Sequence, residues 1–321
     1  MGNLTLLREI ALDTGLSEES VSEIIQDAPR RYKVYPIPKK GGGRRLIAQP
    51  ARELKPIQRA IVDLVLEQFP VHSTALAYRK GLSIADNARI HSGTWPILKL
   101  DFESFFNSIS AAAWRRFVSN QEVVSIDRAD LALITKALFW GAGQRAPYCL
   151  SIGAPSSPLV SNIIMFEFDS NMYHFAKKHG IRYTRYADDI TVSAKKVGDL
   201  YRFEKHLRAY ISRNKTPALT VNEAKRAVYS ASQRRLVTGL VLTSDGKVSL
   251  GRDRKREISA LIHRHSLGQL DEEQLSYLHG MLAFALSSER AFVGRMREKY
   301  GGEAITSVLK YRVPRRDGSA R

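Results

Sequence analysis

Two adjacent aspartates inside a strand-forming stretch constrain this chain more than any other feature. The stretch reads Tyr183-Thr184-Arg185-Tyr186-Ala187-Asp188-Asp189-Ile190-Thr191-Val192, with aromatic and β-branched residues on both sides of the acids. Neighbours on a regular strand face opposite sides, so both carboxylates reach one site only where the chain bends sharply between two strands. Carboxylates forced together repel and hold their protons more tightly unless a cation neutralises them. A hard, oxygen-seeking ion such as Mg2+ does this, binding through few carboxylates and leaving positions for substrate phosphates. A bare Asp-Asp pair is also what a solvated hairpin tip looks like, so a second acid has to decide.

Ile97-Leu98-Lys99-Leu100-Asp101-Phe102-Glu103-Ser104-Phe105-Phe106 supplies it, with Asp101 at the end of an apolar run. A strand that apolar is buried, and an acid at its tip either caps a following helix or binds a metal. Nucleotidyl transfer by two metal ions, about 3.5–4 Å apart, needs roughly this set of ligands. On that reading Asp101 and Asp188 bridge the ions, and Asp189 is the more peripheral acid.

The charge balance points the same way. Fifty Lys and Arg stand against 32 Asp and Glu, a formal net charge of +18. A surplus of that size implies a polyanionic partner, most simply nucleic acid. Residues 200–260 hold 14 basic and 5 acidic side chains, which makes a stripe rather than a diffuse coat. The only cysteine, Cys149, leaves no disulfide framework and no Cys-based zinc site, in keeping with a reducing cytoplasm. The first residues show neither a signal peptide nor a myristoylation pattern, and no apolar run approaches the roughly 18 residues of a membrane span. A cytoplasmic protein without a membrane partner is expected.

Along the chain, residues 4–27 read as one or two short helices, with Ser17 opening the second. Tyr32–Ile37 and Arg44–Ala48 read as a hairpin around Pro38 and the Gly41-Gly42-Gly43 run. Helices are expected over 56–69, 129–139, 158–178 and 200–214, and a buried strand over 96–101. A hairpin is expected over 181–194, short strands over 236–242 and 247–250, and helices after Arg252. A polar tail, 312–321, closes the chain. Helix and strand alternate without a strict βαβ rhythm, so the fold class is α+β.

The Tyr-Ala-Asp-Asp turn, Asp101 at its strand end, and Gly153-Ala154-Pro155-Ser156-Ser157-Pro158 between them resemble the palm motifs of reverse transcriptases, in the usual order. The likeness runs from about Tyr32 to Arg256. Asn87-Ala88-Arg89-Ile90-His91 and Val237-Thr238-Gly239 are similar to the Asn-Ala-x-x-His and Val-Thr-Gly elements of bacterial retron enzymes in particular. The resemblance implies a right-hand polymerase, with an N-terminal helical segment (1–31), fingers (32–95), an antiparallel-sheet palm (96–242), a helical thumb that also binds RNA (243–311) and a basic tail (312–321).

It also implies residue roles. The Phe102 backbone carbonyl joins the three acids as a ligand to two Mg2+ ions, for which Mn2+ can substitute. Arg44 and Arg45 clamp the triphosphate, since guanidinium forks suit phosphate oxygens; a solvated loop is the plainer alternative. Phe106 lies under the incoming sugar and selects deoxynucleotides, unless it is simply a core residue beside Phe105. Tyr186 lies at the nucleotide. Lys225 protonates departing pyrophosphate or contacts a backbone phosphate. Gly153, without a Cβ, lets template and primer approach closely. Ile152 stands where many relatives have Gln, so that polar nucleotide contact does not carry over. Arg226, Arg234, Arg235, Lys247, Arg252, Arg254, Lys255 and Arg256 face a phosphate backbone, and His263 and His265 receive no role.

A retron enzyme would copy part of its own structured noncoding RNA, starting from a guanosine 2′-hydroxyl. The product is branched, RNA-linked single-stranded DNA (msDNA). Its further partners are dNTPs and an effector protein encoded nearby, and such units serve in defence against phage. Two alternatives remain at this level: the enzyme of a mobile intron or other bacterial element, and an RNA-binding scaffold on a dead polymerase fold.

Overall fold

The computed structural model describes residues 5–38, 42–93, 95–141 and 148–312. Gly41 of the glycine run and the tail from residue 313 lie outside the described residues. The chain divides into two compact units, Met1–Lys80 with Leu98–Val228, and Gly81–Ile97 with Tyr229–Arg321.

The chain opens with α1 (Leu6–Thr14) and α2 (Glu18–Asp27). Gly15 ends α1 with φ 69°, a left-handed conformation that glycine adopts freely. Ser17 caps α2, its hydroxyl accepting from the Ser20 amide at 3.2 Å. β1 (Tyr32–Pro38) and β2 (Arg44–Pro50) pair antiparallel, Tyr32 opposite Pro50 and Pro38 opposite Arg44. α3 (Leu54–Leu64) stops short of the expected Phe69, because a 3-10 turn, Leu66–Gln68, takes over. α4 (Ile84–Ile90) belongs to the second unit.

β3 (Ile97–Asp101) leads into α5 (Phe105–Ser108), α6 (Ala111–Asn120) and α7 (Arg128–Leu138). The single helix expected over 158–178 is two, α8 (Ser157–Ile164) and α9 (Phe166–Lys178), divided at Met165 with ψ 1°. Ile163, Ile164, Met165, Phe168 and Met172 are all buried, so the apolar pattern runs through the break and hides it. β4 (Arg182–Tyr186), β5 (Asp189–Ser193), α10 (Val197–Arg213) and β6 (Ala227–Tyr229) complete this part. The sheet has the order β4-β5-β3-β6. Leu98 and Leu100 of β3, Ile190 and Val192 of β5, Phe168 and Met172 of α9, and Leu200, Phe203 and Leu207 of α10 share one core. Each such side chain, fully buried, contributes about 1.5–3 kcal/mol relative to exposure.

In the second unit β7 (Arg235–Val237), β8 (Leu240–Leu242) and β9 (Val248–Ser249) form a sheet in that order. A single strand was expected over 236–242. Instead Val237 pairs with Leu240 across a two-residue turn, with φ 47° at Thr238 and 81° at Gly239. Two positive φ values in a two-residue loop match the right-handed twist of the flanking strands. The helices α11 (Arg252–Ser266), α12 (Glu272–Ser288), α13 (Arg290–Tyr300) and α14 (Gly302–Lys310) follow. Ile258, Ile262, Leu278, Leu282, Phe292 and Val308 build their core, which Ala85 and Ala88 of α4 join. Among the described residues no helix is long and apolar enough to cross a membrane.

Candidate active site

The acids meet because the sheet order makes β5 the neighbour of β3. Tyr186 pairs with Asp189, which leaves Ala187 and Asp188 as the turn, with φ 59° at Ala187. The Phe102 amide donates to the Asp188 carbonyl at 3.1 Å. A residue of an extended strand sends its N–H and C=O from the same edge, so the Phe102 carbonyl also lies on the side of the turn. On the other flank the Asn222 amide donates to the Asp101 carbonyl at 2.7 Å, and the Glu103 amide to the Thr220 carbonyl at 2.9 Å. The tip of β3 is therefore stitched on both sides.

Asp101 and Asp188 line one cavity of about 620 Å³, together with Arg44, Arg45, Tyr78, Phe106, Ile152 and Lys225. Burial, and next the nearby Asp101 carboxylate, push the Asp188 carboxyl above the usual range. Lys225 answers part of that charge, its Nζ lying 2.9 and 2.8 Å from the two Asp101 oxygens. Asp189 is also pushed up by burial, against the opposing pull of Lys99, whose Nζ lies 2.9 Å from its Oδ2. Two carboxylates crowded on one wall and carrying a desolvation cost suit a hard divalent cation, so the donor set fits such ions. Among the described residues no three His, Cys, Asp or Glu side chains gather closely enough to hold an ion by themselves, so any protein shell is partial.

A second cavity, about 360 Å³, shares Tyr78, Phe106 and Ile152 with the first and adds Lys55, Arg59, Gly153 and Pro155. Gly153 has φ 124°, and a Cβ there would lie 3.2 Å from the Ala48 carbonyl oxygen. The close approach that demands glycine is thus to β2, whose Ala48 amide donates to the Ile152 carbonyl at 3.1 Å. Tyr78, Ser104 and Ala187, three non-glycine residues with positive φ, all lie in or beside the larger cavity. Backbone strain of this kind persists only where surrounding structure holds it.

What holds the turn is a buried network. Arg185 and Asp169 are both fully buried, with Nη2 and Oδ2 2.6 Å apart. The Arg185 guanidinium also donates to Asn162 Oδ1 and to the Ala187 carbonyl, each at 3.1 Å. The Tyr183 hydroxyl donates to Asp169 Oδ1 at 2.7 Å. A positive charge inside the sheet therefore grips the carbonyl beside Asp188.

Comparison with known proteins decides the family. The model for reverse transcriptase (RNA-dependent DNA polymerase) matches residues 37–277. The Retron Ec83 reverse transcriptase of Escherichia coli is 38% identical over 282 residues, covering 87% of this chain and 90% of that protein. The chain belongs to the reverse transcriptase family, on its retron branch. The Retron Ec86 reverse transcriptase of Escherichia coli agrees, at 30% identity over 94% of this chain and 92% of its own. Apo telomerase from Candida tropicalis is similar in fold alone, with 15% identity and a TM-score of 0.50 over 87% of this chain. This chain spans 57% of that telomerase. The expected α+β right-hand polymerase fold is thereby met. This reverse transcriptase is an RNA-directed DNA polymerase of a family that works with divalent metal ions and an RNA template.

In this reverse transcriptase the two retron strings come together. Asn87, Ala88 and His91 are buried on or beside α4, and the Thr238 hydroxyl of the turn donates to the Ile84 carbonyl at 2.9 Å. Tyr186, expected at the nucleotide, does not line the cavity. Arg235 corrects the expected basic stripe. It is 1% exposed, and its guanidinium donates to the carbonyls of Gly93, Trp95 and Thr243, so it faces inward. Arg226 is committed to Glu204 by two bonds, 2.7 and 2.6 Å, and Lys255 to Glu289 at 2.6 Å. Arg254 stacks over Phe284. Arg252 and Arg256 are exposed, and Arg234 is 62% exposed in its side chain. A cavity of about 500 Å³ in the second unit is rimmed by Arg234, Arg252 and Lys255. Sequence reading missed Lys99, Asn162, Asp169 and Arg185, whose partners lie far away in the chain.

Proposed function

We propose that this retron reverse transcriptase copies part of its own structured noncoding RNA, primed from a guanosine 2′-hydroxyl, into branched RNA-linked single-stranded DNA. The observation that carries the site is Asp101 and Asp188 on one wall of a nucleotide-sized cavity. With Asp189, the more peripheral acid, and the Phe102 carbonyl they would hold two Mg2+ ions, or Mn2+ in their place. When bound, the ions lower the pKa of the priming hydroxyl and neutralise the phosphates.

The chain's own residues do the rest. Arg44 and Arg45, which line the same cavity as the acids, bind the triphosphate with guanidinium forks. Half-buried Phe106 leaves no room for a 2′-hydroxyl on the incoming sugar, so dNTPs are preferred. Lys225, poised on Asp101, supplies a proton or a positive charge to pyrophosphate. Ile152 offers an apolar surface to the nascent pair where Gln would offer a hydrogen bond. Arg234, Arg252 and Arg256 hold nucleic acid by its phosphates, which position without reading sequence. The assignment of residues 32–95 to fingers, 96–242 to palm and 243–311 to thumb belongs to the same reading. So do a cytoplasmic setting, a neighbouring effector protein and a role in defence against phage.

Primer extension on an RNA template with Mg2+ and labelled dNTPs tests the chemistry. Wild type extends, and Asp188→Asn does not. Equal, poor extension by both leaves the chain an RNA-binding scaffold. Expression with the flanking DNA tests the biology: a short DNA joined to RNA through a debranching-sensitive linkage co-purifies, and its absence overturns the retron-specific reading.

A further inference from the structure

Three cations gather in the first unit at a place the chemistry does not use. α6 carries Ala113, Arg116 and Phe117 at helical spacing, so one face presents all three. That face lines a cavity of about 380 Å³, with Ile164, Glu167, Arg213 and Lys215 on its other walls. The cavity shares no residue with the two at the active site. Arg208 and Arg226 are both paired with Glu204. Among the described residues Arg116, Arg213 and Lys215 form no ion pair, although Glu167 lines the same cavity. The carbonyl end of α10 accounts for Arg213, which stands in its last turn. It does not account for Lys215, beyond that helix, and Arg116 precedes the last turn of α6. The floor is apolar. Half-buried Phe117 packs against Trp114 and Phe69, with ring centroids 6.3 and 6.1 Å away, and Ile164 is buried.

We propose that this cavity is a second nucleic-acid site, which takes one unpaired nucleotide from a loop or bulge of the structured RNA. Its base lies on Phe117 and Ile164, and Arg116, Arg213 and Lys215 hold its phosphate and the next. The inference rests on the reading that the enzyme binds a structured RNA. Three cations round one pocket repel one another, and an entering anion relieves that repulsion. Size agrees, since ligand pockets begin at about 300 Å³. Proteins read RNA chiefly at unstacked bases, laid on aromatic rings and fixed by Arg. Glu167, in the first turn of α9 where the helix dipole favours a carboxylate, offers an acceptor to a base amino group. An acidic peptide would satisfy the cations but leave the apolar floor idle.

Fluorescence polarisation on the full chain tests this, with a labelled RNA hairpin bearing an unpaired loop and a blunt duplex of the same stem. Wild type prefers the hairpin about tenfold, the scale of one stacked base. Phe117→Leu reduces that preference to within about twofold and leaves duplex binding unchanged. Arg116→Gln/Arg213→Gln lowers the slope of log hairpin affinity against log salt by about 1.4, two contacts at about 0.7 each for a single strand. Both arginines are exposed, so this variant melts with wild type and keeps the test independent of the packing of Phe117. Primer extension on a linear RNA template is unchanged in each variant. An unaltered salt slope in the arginine variant overturns the proposal. Should a hexaglutamate peptide lose its binding in that variant while the hairpin does not, the partner is an acidic protein segment and the proposal falls. Wild type that binds neither RNA defeats the structured-RNA reading itself, whereas wild-type binding with unchanged variants defeats this site alone.

Discussion

Arg185 carries a full charge where no water reaches it, and its partners explain why it is tolerated. Asp169 receives its guanidinium at 2.6 Å, and Asn162 and the Ala187 carbonyl take further donors. Removing one partner of such a pair costs about 3–5 kcal/mol, so Asp169→Asn should lose that much stability in urea unfolding. Arg185→Met/Asp169→Leu, which removes both charges, should lose less. On the proposed reading of Phe106 as the residue under the incoming sugar, Phe106→Ala should raise primer extension with ribonucleotides in place of dNTPs relative to wild type. At this scale the sequence was legible where function concentrates chemistry: the acids announce themselves by their neighbours. Lys99 and Asp169 did not, because their partners stand 90 and 16 positions away in the chain. Arg235 read as one more cation in a basic run. Composition counts charges but does not say which way a side chain points, and three backbone carbonyls decided that.

α10 shows how an element positions a residue it does not contain. Glu204 grips Arg226, and Arg208 grips Glu223, so the short turn Glu223–Lys225 is held from both ends while Lys225 reaches Asp101. Hydrogen bonds from Arg226, and then from Arg208, outweigh burial and hold the Glu204 carboxyl below its usual range. A depressed folded-state pKa means stability that is present above the unfolded pKa and lost as pH falls through the folded one. Glu204→Gln should therefore cost about 1–3 kcal/mol at neutral pH. The gap to wild type should close progressively in unfolding measurements below about pH 4.3. Gly239 at φ 81° sets a second element-level constraint: Gly239→Ala should cost about 1 kcal/mol or more in the same assay. Most elements were legible from periodicity, but the end of α3, the split between α8 and α9 and the turn between β7 and β8 were not. The split between α8 and α9 lies inside an unbroken apolar pattern, whereas the turn between β7 and β8 is marked only by Thr238-Gly239.

The excess charge belongs to the whole molecule. Binding of RNA should weaken steeply with salt, because neutralised phosphates release counterions. Arg252→Gln/Arg256→Gln should lower the slope of log affinity against log salt by about 2, roughly one unit for each phosphate contact removed. Arg235→Gln should leave that slope unchanged and instead lower the melting temperature. The division into two units also has a consequence for synthesis. Residues Gly81–Ile97 are made early, yet the partners that bury Ala85, Asn87 and Ala88 begin only at Tyr229. At about 5–20 residues per second, the ribosome leaves that helix waiting on the order of ten seconds. For that interval its sticky face is open to chaperones and to neighbouring nascent chains, and a product truncated before Tyr229 never acquires its cover.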